Sequence, residues 1–227
     1  MLKKSMLKNT IALFLLCLLL TNFQTHAQED EFGAWYIVAS NSKLSEKFSF
    51  QLQTQFRFYE LASEIEQFKI RTSGTYKFNE KVSASLGYAY FRNDPSYLME
   101  TPEEFDEHRL VEDVHLSSSW GKLGIKHRYR MEHRFFPTRD PLHWARYMLK
   151  LTYPLGGGFS ADVYDEVFIN LQKPLFGQNW FGGGISYKAS DLLKVRVGYQ
   201  NITFENAAFD RLLVGITFTP DFTDNDS

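Results

Sequence analysis

Cysteine is almost missing from this sequence: among 227 residues only Cys17 carries a thiol. It lies inside an apolar N-terminal run behind Leu16, where a lipoprotein site wants a small residue, so lipidation is rejected. Beyond that run there is no disulfide, no cysteine metal site and no cysteine nucleophile. Long apolar stretches are missing too, since nothing after the N-terminal run approaches the ~18 continuous apolar residues of a membrane helix. Positive charge is in short supply. The first 27 residues hold three of the 25 Lys and Arg and no acid, which leaves 22 against 27 Asp and Glu, a net charge of −5. That balance argues against nucleic acid as a partner. No Pro-, Ser- or Gly-rich linker divides the remainder, so one domain is expected over 28–227, with a short acidic tail at 221–227.

The N-terminal run itself reads as a secretory signal peptide over residues 1–27. Lys3, Lys4 and Lys8 give a positive start, Ile11 to Leu20 an apolar centre, and Thr25-His26-Ala27 a small-x-small cleavage site before Gln28.

Aromatic residues, by contrast, are plentiful at 16%, with 21 Phe and 12 Tyr. They recur with period two. Phe48, Phe50, Leu52, Phe56 and Phe58 alternate with Ser49, Gln51, Gln53, Gln55 and Arg57, which on a strand separates an apolar face from a polar one. The same rhythm predicts strands at 31–39, 47–59, 66–78, 82–91, 108–120, 123–135, 142–153, 159–170, 179–188, 193–202 and 211–219. No convincing amphipathic helix accompanies them. Short connectors such as Gly121-Lys122 alternate with longer ones such as Arg92 to Glu107, the pattern of outer-membrane barrels with short periplasmic turns and long outer loops.

Turns fix register. A two-residue turn at Gly121-Lys122 sets Asp113 opposite Arg130 and His115 opposite Arg128. Closing Pro154 to Gly158 as a hairpin predicts Lys150 opposite Asp162, Arg146 opposite Glu166, Leu151 opposite Ala161 and Leu149 opposite Val163. Closing 189–192 predicts Gly184 opposite Arg196, and the 136–141 loop sets Glu132 opposite Arg146. Opposite charges thus meet on the polar face.

The expected fold is an all-β, antiparallel up-and-down transmembrane β-barrel of about 10 to 12 strands, apolar outside and charged or polar inside. Bacterial barrels have even strand numbers, so either segment 31–39 lies outside the closed sheet or one strand is missed. A soluble periplasmic lipocalin-like barrel shares the period but turns its apolar face inward, and it has little use for paired charge stripes.

Lys126, Arg128, Arg130, Glu132 and Arg134 fall on the polar face of one strand, and Asp113, Arg146, Lys150, Asp162, Glu166 and Arg196 supply partners. These eleven form the expected interior charge network, read as a filling of the barrel in preference to an anion-favouring constriction. His115 and Ser117 share that face at a spacing resembling outer-membrane lipid hydrolases, but they point toward the charged side, away from lipid. His127 and His133 lie on the apolar face about 20 Å apart, too far to share a metal. Glu112, also on that face, is expected near the outer headgroup zone. The runs 156–158 and 182–184 of glycine lack the helix and Lys-Ser/Thr of a phosphate loop.

Gly33-Ala34-Trp35-Tyr36, the run His127 to Phe135, Tyr164 to Phe168 and Gly198 to Asn201 together resemble the domain-of-unknown-function family 2490 across the mature chain. The resemblance implies a bacterial outer-membrane barrel and brings no activity, cofactor or catalytic residue. One departure from barrel practice is the acidic tail after Phe218, which displaces the terminal aromatic that assembly machinery reads. The expected protein is a monomer without cofactor or metal, its partners the outer-membrane lipid and lipopolysaccharide and the barrel-assembly machinery. Its role is structural or that of a small-solute channel.

Overall fold

The computed structural model describes residues 32–96 and 103–223. The signal-peptide reading, the middle of the 92–107 connector and the last residues of the acidic tail lie outside them. Eleven strands follow one another: β1 (Gly33–Lys43), β2 (Phe48–Phe58), β3 (Ile65–Lys77), β4 (Val82–Asn93), β5 (Phe105–Trp120), β6 (Leu123–Phe135), β7 (Leu142–Gly156), β8 (Phe159–Asn170), β9 (Phe176–Lys188), β10 (Leu193–Thr203) and β11 (Ala208–Phe218). Each pairs with its chain neighbour, and β1 closes on β11 to complete a barrel.

That closure corrects two expectations. The strand number is odd, and the sheet is not antiparallel throughout, because β1 and β11 run parallel from Gly33 opposite Arg211 to Ser40 opposite Phe218. Segment 31–39 therefore belongs to the sheet from Gly33 on. The reason is packing as well as pairing: Trp35 on β1 is buried with Ile202 on β10 and Leu213 on β11, and without β1 the edges of β2 and β11 would be unpaired. The seam continues past β11, where the Lys43 amide donates to the Pro220 carbonyl and the Phe222 amide to the Lys43 carbonyl. Part of the acidic tail is thus tied to the barrel, and Asp221 pairs with Lys43 Nζ at 3.4 Å.

Connectors at one end are 44–47, 78–81, 121–122, 157–158 and 189–192; at the other they are 59–64, 94–104, 136–141, 171–175 and 204–207. An odd number of strands puts the start of β1 at the long-connector end and the end of β11 at the short-turn end.

The β5–β6 register is the one the sequence predicts, with Asp113 opposite Arg130 and His115 opposite Arg128. Gly121 has φ +60°, as a type II′ turn requires of its first central residue. The other three registers differ from expectation by two residues. Lys150 faces Tyr164, Arg146 faces Phe168, Leu151 faces Val163 and Leu149 faces Asp165, because β7 runs on to Gly156 and turns only at Gly157-Gly158 after a bulge. Gly184 faces Gly198 and Arg196 faces Ser186; Glu132 faces Trp144 and Arg146 faces Arg130. A slip of two keeps every side chain on its own face.

Strands about 4.8 Å apart and tilted about 40° give eleven of them a backbone diameter of roughly 22 Å. Long side chains from facing walls take up much of that width.

Candidate functional site

The inward positions of β5 to β8 carry a connected network of guanidinium and carboxylate groups. Arg130 holds Asp113 with two bonds, Nε to Oδ1 at 2.6 Å and Nη2 to Oδ2 at 2.9 Å. Arg71, two strands away on β3, donates to the same carboxylate at 2.8 Å. Glu132 accepts from Arg146 at 2.7 Å, Arg109 at 3.1 Å and Arg130 at 3.4 Å. Glu166 accepts from Arg128 at 2.6 Å and from Arg146 Nε at 2.9 Å. Glu107 takes Arg109 at 2.7 Å and Arg134 at 2.5 Å. Six arginines and four carboxylates are joined in this way, and the four acids are each about 2% exposed or less. Nearer the short-turn end, Asp162 holds Arg196 with bonds of 3.0 and 2.7 Å and Lys150 at 3.3 Å.

The two-residue slips explain how the pairs survive their changed registers. Arg146–Glu166, Lys150–Asp162 and Arg146–Glu132 are diagonal neighbours, which long side chains reach across a sheet face. Lys126 is different: it stands in register with Ser117 and Lys150 and takes no part in the ion pairs among the described residues. Arg196 finds its space where glycines face it, for a Cβ on Gly184 would lie 2.9 Å from Arg196 Nη2 and 2.5 Å from the Val197 carbonyl.

Sequence reasoning missed Glu107 because it began β5 at 108, and it left Arg109 and Arg71 out of the network although both lie on expected strands and share the alternation. It also missed an aromatic layer in the lumen. Trp35 and Trp180 meet edge to face at 5.2 Å, and Trp180 meets Phe168 at 4.6 Å. Guanidinium groups stack on these rings: Arg57 lies 3.8 Å from the Trp35 centroid, Arg146 3.7 Å from Phe168 and Arg109 3.9 Å from Phe91. Such contacts stabilise by about 0.5 to 1 kcal/mol at exposed sites and by about 2 kcal/mol or more when desolvated. Between the walls remains a cavity of about 680 Å³.

His115 faces this lumen between Ser83 on β4 and Arg128 on β6. Among the described residues no hydrogen bond joins it to Ser117, and the nearby carboxylate of Asp113 is taken by Arg71 and Arg130. On the outer wall His127 meets Tyr147 at 2.9 Å and His133 meets His143 at 2.8 Å, so each histidine has its own cross-strand partner. No group of three or more His, Cys, Asp or Glu side chains suited to a metal occurs among the described residues. Glu112 stands midway along β5, facing Leu86 and Met131, and not near a strand end as its expected headgroup position required. Asp165 also breaks the apolar outer wall and accepts from Asn179 at 2.7 Å.

No curated protein matches the chain. The barrel and its lumen give no sign of an enzymatic activity. Residues 32–212, nearly the whole of the described barrel, match the family described as "Protein of unknown function (DUF2490)", and the chain belongs to that family.

Proposed function

We propose that this chain is an outer-membrane β-barrel with a structural or small-solute role, its lumen closed to free ion flow by its own charged side chains, and that it is not an enzyme. The observation that carries the reading is the division between the two faces of the sheet. Phe48, Leu86 and Val197 are 54%, 57% and 55% exposed on the outer wall, while Asp113, Glu132 and Glu166 are each 2% exposed within. A lipocalin-like soluble barrel would turn these faces the other way. In lipid, a sheet must also satisfy its backbone groups by closing on itself, as this one does.

Dimensions agree. The shortest strands have 11 residues, which at about 3.4 Å per residue and a tilt of about 40° span roughly 29 Å, enough for an apolar band about 25 Å tall. Outward aromatic pairs near the short-turn end, Phe48 with Tyr76 at 4.9 Å and Phe159 with Tyr187 at 4.7 Å, suit one of the two girdles such barrels carry. The long connectors are assigned to the cell exterior. With eleven strands the start of β1 then lies outside and the end of β11 in the periplasm.

A lipid hydrolase built on His115 and Ser117 finds no support in side chains that face a charged lumen. The second reading worth keeping is an anion-leaning channel, favoured by the surplus of arginine over carboxylate in the network.

Arg146→Ala separates closed barrel from channel. In a poorly hydrated interior the substitution leaves Glu166 with Arg128 alone and should cost about 3 to 5 kcal/mol. Adding Glu166→Ala should restore part of that, since Glu132 keeps Arg109 and Arg130. The parent barrel should pass little current in planar bilayers. A steady anion-selective current in the parent, with Arg146→Ala shifting selectivity and leaving heat-modifiable folding untouched, overturns the closed-lumen reading. Protease added to intact cells should cut within 94–104 and spare 121–122; cleavage confined to the short turns overturns the orientation.

A further inference from the structure

The buried carboxylates are not shared evenly around the barrel. Glu107, Asp113, Glu132 and Glu166, with the half-buried Asp162, all stand on β5, β6 and β8, while Glu66, at the start of β3, lies 3.5 Å from Arg211. The inward positions of β2 and the middle of β3 offer amides and cations in their place. Lys69 donates to the amide oxygen of Gln53 at 2.8 Å and to that of Gln55 at 3.5 Å. Arg57 reaches the same Gln55 oxygen at 3.4 Å. Neither cation has a carboxylate within ion-pair distance among the described residues, and both line the cavity of about 680 Å³. Two positive groups therefore share neutral acceptors at one wall of a lumen.

The same wall holds several unmet donors, beside the acceptors Glu66 Oε2 and Gln67 Oε1, which also lack a hydrogen bond. Arg57 Nε and the indole N–H groups of Trp35 and Trp180 are buried without a hydrogen-bond partner, on side chains that line the same space. Trp35 is 2% exposed. A buried donor left unmet costs about 1 to 3 kcal/mol, more when charged, so several together on one cavity point to a group that brings oxygen. The neighbouring surface is apolar, with the Trp35–Trp180 pair at 5.2 Å. A ligand suited to it needs an oxyanion and a flat apolar body, and the volume is within the ~300 to 1,000 Å³ of small-molecule sites.

We propose that the lumen beside β2, β3 and β9 is a binding site for one small organic anion, its oxyanion between Lys69 and Arg57 and its apolar body against the half-buried ring of Trp180. The inference rests on the closed-lumen reading and says what that lumen holds.

The full barrel, folded in nonionic detergent, is dialysed to equilibrium against empty micelles with 2-naphthoate as the probe. Neutral 2-naphthamide and inorganic phosphate are the comparison ligands. Naphthoate should bind at one site per barrel, at least tenfold more tightly than either. Lys69→Met should weaken it tenfold or more. Gln53→Glu, nearly isosteric, sets a resident carboxylate beside Lys69 and should do the same in a barrel that keeps its heat-modifiable migration, even if Lys69→Met does not fold. Lys77→Met, at the short-turn end of β3 and paired with Glu80 outside the cavity, should change binding less than twofold. The proposal is overturned if naphthamide or phosphate binds as well as naphthoate, or if folded Gln53→Glu binds naphthoate unchanged. Failure of the closed-lumen reading is seen separately, as current through the parent barrel.

Discussion

Two half-walls of one lumen solve the problem of burying polar side chains in opposite ways. On β5 to β8 each inward carboxylate has two or three cationic partners, and Arg109, Arg130 and Arg146 are each shared between two acids, so that Glu132 alone is held by all three. Across the lumen Lys69 relies on Gln53 and Gln55, and Gln200 on β10 accepts from Tyr164 of β8 at 2.6 Å. The first half is rigid through charge and intolerant of losing a member, because removing one partner leaves the others charged in a place without water. The second is built on neutral amide acceptors, each bond worth about 0.5 to 1.5 kcal/mol net, or about 1.5 to 3 where the donor is charged. It tolerates substitution and leaves donors unused. A barrel wall that must keep its shape and a wall that can accept a ligand therefore differ in composition at positions the backbone treats alike.

Removing the most shared acid tests the contrast hardest. Glu132→Ala leaves three arginines facing one another, with Glu107, Asp113 and Glu166 as their only remaining acids, and should lower stability by about 3 to 5 kcal/mol in urea titrations of the detergent-folded barrel. A loss under 1 kcal/mol would mean that water reaches the network and that the two halves are alike.

A smaller effect is expected where the charged half meets the small residues of β9. In Gly184→Ala the new methyl would sit 2.5 Å from the Val197 carbonyl and 2.9 Å from Arg196 Nη2. Overpacking of this kind costs about 1 to 3 kcal/mol, and it should also loosen the grip of Arg196 on Asp162. Melting that matches the parent would show that β9 and β10 can part locally at no cost.

The smallest change is expected in the amide half. Gln200→Leu removes the acceptor of the Tyr164 hydroxyl, but it also removes an Nε2 group that has no partner. The net effect should lie within about 1.5 kcal/mol of zero. If it rivals Glu132→Ala, the distinction between the half-walls fails.

Much of this was legible in the chain. Alternation at Phe48 to Phe58 reads directly as β2, and all eleven strands begin or end within a few residues of the sequence expectation, because period two is local to each strand. The Asp113–Arg130 pairing was legible because Gly121-Lys122 leaves a hairpin only one way to close. The Pro154 to Gly158 register was not, since five residues can turn at more than one point and the bulge before Gly156 depends on how β7 meets β8. Glu107 was hidden by a neighbouring acidic connector that made the start of β5 look like loop.

The sequence by itself determined which segments are strands and which side chains share a face, for a side chain's face follows from its parity along its own strand. Only the tertiary structure decided that β1 closes the barrel in parallel with β11, that Arg71 crosses to Asp113, and that Lys69 and Arg57 are left with amides. Those outcomes depend on which strands become neighbours and on how far long side chains reach diagonally across a closed, twisted sheet. Nothing in the spacing of residues along one strand encodes either.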